Sequence, residues 1–213
     1  MRHSRFRRAL HAGLPLLLIL FAVAAYFFIP ALRLPGSASR LHATPVLHAV
    51  DAHHYDQEWF DAARAGRIDI LSALYAAHYP IDSQTHAGFS ALILAAYDEQ
   101  PEALNYLLDA GANPCLGDNN GNTALMGALY KGELAIARRL LNTRCKIDQT
   151  NHAGATALTF AALFGRLDIL PALMAKGADL EHADARGDTP LQIALKQGNT
   201  EVATALRKLG ATR

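Results

Sequence analysis

Apolar positions follow two different regimes along this chain. From Ala12 to Leu32 no charged residue occurs, and Leu14 to Leu32 is an almost wholly apolar run of 19 residues. A helix needs about 20 such residues to cross a bilayer, so this run predicts a transmembrane helix. Beyond about Ala52 the apolar residues come instead in short stripes at helical spacing, separated by glycine and polar residues. Such stripes predict short helices in pairs, each too small to bury its own apolar face.

The stripes recur with a fixed period. Gly88, Gly121, Gly154 and Gly187 are spaced by 33 residues. Two residues after each comes a hydroxyl residue, then a small or imino residue, then Leu: Ser90-Ala91-Leu92, Thr123-Ala124-Leu125, Thr156-Ala157-Leu158 and Thr189-Pro190-Leu191. Ala95, Ala128, Ala161 and Ala194 keep the same phase, as do Leu74, Leu107, Leu140, Leu173 and Leu206. A second glycine recurs at Gly66, Gly132, Gly165 and Gly198, with Glu99 in its place once. Ser or Thr at the start of a stripe predicts a helix N-cap. The first glycine predicts a hairpin tip with positive φ, and the second a left-handed helix end.

This framework resembles the ankyrin repeat over about Ala52 to Arg213. Departures are the absent histidine after Leu (Ile93, Met126, Thr159 and Gln192 stand there) and Arg144-Cys145 in place of Gly-Ala. The resemblance implies an all-α solenoid of stacked helix pairs with short hairpin loops, preceded here by the one N-terminal transmembrane helix. The expected organisation is a basic head at 1–13, a signal anchor at 14–32, a linker at 33–51 and a repeat domain at 52–213. Within the domain, caps are placed at 52–84 and 184–213, and full repeats at 85–117, 118–150 and 151–183. A short extra helix is expected over 45–53.

Charge changes the picture of location. Residues 1–50 hold six Arg and no Asp or Glu, whereas residues 51–213 hold 14 Lys+Arg against 19 Asp+Glu. The folded part is therefore acidic, the wrong sign for binding phosphates, and nucleic acid is not expected as a partner. Four Arg precede the apolar run and only Arg33 and Arg40 follow closely. The positive-inside bias then leaves the N-terminus in the cytoplasm and sends the domain across. Inner-membrane tethering with a periplasmic domain is expected. The alternative is cleavage at Ser37-Ala38-Ser39 and release as a periplasmic protein or a secreted effector that binds a host protein.

Candidate chemistry is sparse. No nucleophile–base–orienter set, phosphate loop, His-x-x-x-His or Cys-x-x-Cys is present, so no enzyme activity, cofactor or metal is expected. A His-based metal or ligand carrier is a weaker alternative, because His86 and His152 fall on tips two repeats apart, too far to share one ion. Cys115 lies three positions further along its repeat than Cys145 does along the next. One repeat step plus that offset is expected to exceed the ~7 Å Cα limit of a bridge, so both are expected as free thiols, with Cys145 buried.

The remaining candidates are the positions free to vary: hairpin tips, the residue after the tip glycine, and the two residues before the second glycine. They are expected to share a concave face. These are His86, Phe89, Tyr97, Asp98, Asn119, Asn120, Asn122, Tyr130, Lys131, His152, Leu163, Phe164, Arg186 and Asp188, with Lys196 and Gln197 at the end. Aromatic rings flanked by polar groups have the composition of an interface hot spot. The expected function is recognition of a protein partner without catalysis.

Overall fold

A computed structural model of the chain describes residues 52–212. The expected head, transmembrane helix and linker, and most of the short helix expected over 45–53, lie outside the described residues. Among the described residues no helix is long and apolar enough to cross a membrane.

Those residues form ten α-helices in five pairs. They are α1 (Asp56–Arg64), α2 (Ile68–Ala76), α3 (Ala91–Tyr97), α4 (Pro101–Asp109), α5 (Ala124–Lys131), α6 (Leu134–Leu141), α7 (Ala157–Leu163), α8 (Leu170–Ala175), α9 (Pro190–Lys196) and α10 (Thr200–Lys208). Short 3-10 turns at Ala52–Tyr55 and Leu167–Ile169 precede α1 and α8. Odd-numbered helices pack on one another in succession, α1 on α3 through to α7 on α9, and the even-numbered ones form a second layer.

Helices α3, α5, α7 and α9 each start where the repeated hydroxyl stands. Ser90, Thr123, Thr156 and Thr189 each accept a hydrogen bond from the third residue of the helix they precede, which satisfies an otherwise orphaned N–H. Thr159 and Gln192 return a bond to the capping residue's own N–H, completing a capping box. Ile93 and Met126 hold the same position, buried like Thr159 but without a polar atom to return the bond.

Stacking is set by small side chains. Ala62, Ala95, Ala128, Ala161 and Ala194 are fully or almost fully buried, as are Leu71, Leu104, Ala137, Leu170 and Ala203 in the second layer. Small residues at the contact bring helix axes to the short end of the 8–10 Å range. The tips approach just as closely. Gly88 has φ +82°, and a Cβ there would fall 2.4 Å from the backbone nitrogen of Asn119 in the next repeat. Gly187, the corresponding tip of the last described repeat, has φ +83° but open space around it. Its glycine answers only to the turn.

The expectation of free thiols is overturned. Cys115 and Cys145 form a disulfide with a Cα separation of 5.4 Å, and both residues are half-buried. After α4 the chain turns at Asn113, whose side chain accepts the N–H of Cys115 at 3.0 Å. With Cys115 held by that turn, the three-residue offset leaves the two Cα atoms within bridging distance. A bridge across 30 residues contributes about 3–4 kcal/mol in the loop-entropy picture. Unfolding the full-length protein without reductant should accordingly expose no thiol to an alkylating reagent, whereas prior reduction should expose two. Two reactive thiols before reduction would contradict the bridge.

Candidate functional site

The candidate residues divide into a tip row and a helix-end row. In the tip row, each loop hangs on its neighbour by a backbone bond: Asn119 N–H to the Ala87 carbonyl, His152 N–H to that of Asn120, and Ala185 N–H to that of Ala153, all within 2.8–3.1 Å. The Asn119 side chain also donates to the His86 carbonyl at 2.9 Å. Inside each tip a single side-chain oxygen gathers two N–H groups. Asp118 takes those of Asn120 and Asn122, Asn151 those of Ala153 and Ala155, and Asp184 those of Arg186 and Asp188. Burial alone would raise the Asp184 carboxyl, but these N–H bonds and the Arg186 guanidinium outweigh it and hold the group below the ordinary carboxylate range. His86, Asn119, Asn120, His152 and Arg186 are exposed, and Phe89, Asn122 and Asp188 are half-buried. Phe89 donates its N–H to Thr85 and packs against the core.

The helix-end row brings its rings into contact. Tyr97 and Tyr130 stack with centroids 5.7 Å apart, and Tyr130 meets Phe164 edge-on at 5.0 Å. Phe160, one turn earlier in α7, extends the line to Phe164 at 5.8 Å. Lys131 lies with its ammonium 5.0 Å from the Tyr97 centroid and 4.0 Å from a Glu99 oxygen, a cation–π geometry. Tyr97 is 38% exposed and Tyr130 46%. Asp98, Leu163 and Phe164 are half-buried and Lys131 is exposed. At the last repeat Lys196 forms an ion pair with Asp188, joining the helix-end and tip rows.

Repeat-to-repeat contacts fix the rings. Helix α5 ends at Lys131, and its last carbonyls need partners. Arg166 of the next repeat supplies them, donating Nε to the Leu129 carbonyl at 2.8 Å and a terminal nitrogen to that of Tyr130 at 2.6 Å. Asn199 serves Ala162 and Leu163 in the same way. Gly127, in the middle of α5, leaves room beside the Tyr97 ring: a Cβ there would sit 3.9 Å from it.

Three contributors were missed by the sequence reading. Phe160 stands where the preceding repeat has Gly127, and 33-residue alignment of the two exposes the substitution. Glu99 adopts φ +60°, a left-handed conformation that costs a non-glycine residue about 1–2 kcal/mol. Its replacement of a recurring glycine was the available signal. Leu195 is 45% exposed, although Ala63, Ala96, Leu129 and Ala162 at the same register are completely buried. Among the described residues no group of three His, Cys, Asp or Glu is disposed to hold a metal ion, and His86 and His152 are held by separate loops.

A family model described as ankyrin repeats (3 copies) matches residues 59–151 and again residues 138–212. The matched stretch contains both rows described above.

The rings are half in water, so they should matter less to folding than the stacked core. Tyr97→Ala loses one stacked ring pair and should lower the unfolding free energy by about 0.5–1.5 kcal/mol. Leu107→Ala, fully buried in α4, should lower it by about 2–5 kcal/mol. Urea titration of both variants decides the matter, since equal losses would put the Tyr97 ring in the core.

Proposed function

The chain belongs to the ankyrin-repeat family, whose members are in general protein–protein interaction modules, and on that premise we propose that it captures a protein partner on the line of Tyr97, Tyr130 and Phe164. The observation that carries this reading is the continuity of the rings: three consecutive repeats contribute to one contact chain that remains open to water. Aromatic side chains offer large contact area at low entropic cost and dominate interface energetics. Arg166 pins the Tyr130 carbonyl and Asn199 that of Leu163, the neighbour of Phe164, so less ordering is left for the partner to impose. The tip row, with His86, Asn119, Asn120, His152 and Arg186, supplies the polar rim. No catalytic step is part of the proposal.

The location proposed is the periplasmic side of an inner membrane, with the segment at 14–32 as an uncleaved anchor. Two features support it: the positive bias of residues 1–50 and a disulfide between adjacent repeats, a bond that persists in oxidising compartments.

Replacing Tyr97, Tyr130 and Phe164 together by Ala in the full-length chain should abolish partner capture from a solubilised membrane fraction. Each anchor is expected to carry about 2 kcal/mol or more of binding. The triple variant must still unfold cooperatively, and capture equal to that of the wild-type chain would remove the rings from the interface.

A reporter active only after export, fused after Arg213, should be active, and mass spectrometry should find an intact N-terminus in the membrane fraction. Activity of a cytoplasm-only reporter would reverse the topology. A mature N-terminus near Ser39 would favour the released form.

A further inference from the structure

Consecutive repeats are joined by rungs at one register, and three of them are alike. An Asp82 oxygen accepts the backbone N–H of Asn113 at 2.8 Å, an Asp148 oxygen that of Asp179 at 3.0 Å, and a Glu181 oxygen that of Thr212 at 2.6 Å. The carboxylates sit at 82, 148 and 181, and the 33-residue series is completed by Cys115. Its counterpart donor would be Lys146, the neighbour of Cys145. Among the described residues the disulfide therefore occupies the one junction where the carboxylate rung is missing.

That junction also differs in its turn and its packing. Elsewhere Ala112, Ala178 and Ala211 donate their N–H groups to the carbonyls of Leu107, Leu173 and Leu206, each after a left-handed glycine. After α6, Arg144 is not left-handed, and Thr143 closes the turn on Leu140 with both its N–H and its hydroxyl. A cleft lined by Pro114, Leu125, Leu140, Thr143, Cys145 and Ile147 opens beside the bridge. A thiol is a weak hydrogen-bond acceptor. With the bridge open, the Cys115 side chain offers no substitute for the carboxylate, and beside the cleft the residue keeps the bond its carbonyl accepts from the Gln149 side chain at 2.8 Å.

We propose that Cys115–Cys145 is a thiol-operated joint. Oxidised, it couples the repeats on its two sides into one cooperative unit; reduced, it lets them unfold separately. In a solenoid each repeat contacts only its neighbours, so one weakened junction is enough to divide the array. The opening chemistry is exchange with a dithiol. A thiolate of the dithiol attacks one cysteine sulfur and expels the other as a thiolate, which takes up a proton. The second thiol of the reductant then displaces the first cysteine from the mixed disulfide. Two electrons and two protons pass to the cysteine pair and the dithiol becomes a disulfide. The joint lies between Tyr97 on one side and Tyr130 and Phe164 on the other. Its bearing on partner recognition rests on the function proposed above, but the joint itself does not.

The test uses the full-length chain in mild detergent, unfolded in urea. Trp59 is the single tryptophan and is completely buried in α1, so its fluorescence reports the first repeat while far-UV circular dichroism reports the whole helix content. In the oxidised protein the two transitions should coincide. With dithiothreitol present, the Trp59 midpoint should separate from the dichroism midpoint. C115A/C145A should show separated midpoints with or without the dithiol. C115D/C145A restores the carboxylate and the alanine of the other junctions, and should show coincident transitions in both conditions with no bridge at all. Coincident transitions in the reduced wild-type chain, even at a lower urea concentration, overturn the joint, as do separated transitions in C115D/C145A. Partner capture is not a readout, so failure of the recognition reading leaves this result unchanged.

Discussion

Close stacking of one helix pair on the next is the constraint from which the rest of this molecule follows. No pair can enclose its own apolar stripe, so each depends on alanines such as Ala95, Ala128 and Ala161, which are buried only because a neighbour lies against them. Leu195 gives the converse. It holds the register of Ala63, Ala96, Leu129 and Ala162, yet stands 45% exposed because no described repeat follows. Burial here is a property of adjacency, and so are the glycine tips, which must admit a neighbouring backbone as well as turn.

The candidate interface inherits that dependence. Tyr130 projects from α5, but its carbonyl is held by Arg166 from the next repeat, and its ring is flanked by Tyr97 and Phe164 from the repeats before and after. No ring is positioned by its own repeat alone. The surface is rigid along the stack for the same reason that the core is continuous. Glu99 departs from the pattern: it accepts a left-handed backbone where the other four repeats use glycine. His78 does likewise where later repeats have Gly111, Gly177 and Gly210.

Much of this was legible in the sequence, because the stack writes its requirements at a fixed interval. The capping hydroxyls, tip glycines and buried alanines each recur at 33 residues, and the all-helical stacked fold follows from them. The contact between Tyr97 and Tyr130 was foreshadowed by the same interval. The disulfide was not, because the sequence gives distance along the chain but not direction. Treating the offset between Cys115 and Cys145 as an added length ignored the turn at Asn113, which holds the N–H of Cys115 and leaves the two Cα atoms 5.4 Å apart. The signal existed in another form: Asp82, Asp148 and Glu181 share the register of Cys115, and a position that joins neighbours in three repeats joins them in the fourth. Phe160 was missed because its counterparts Leu94, Gly127 and Ile193 are not aromatic, so the 33-residue interval repeats no ring at that register.

The fixed interval has a consequence for how such a chain changes over generations. Loss of residues 118–150 as a block would bring α3 against α7 with alanine still facing alanine, and every tip would still meet a tip. The backbone would keep its stacked form, one unit shorter, with neither the Asp148 rung nor the bridge at the new junction. The surface would not be so indifferent. Cys115 would face Ala178 and Asp179 and become an unpaired thiol, Tyr130 would vanish from between Tyr97 and Phe164, and Arg166 would inherit the end of α3. Copy number and surface chemistry are thus inherited separately in this architecture: duplication or loss of a unit is nearly silent to the fold while it redraws what the molecule presents.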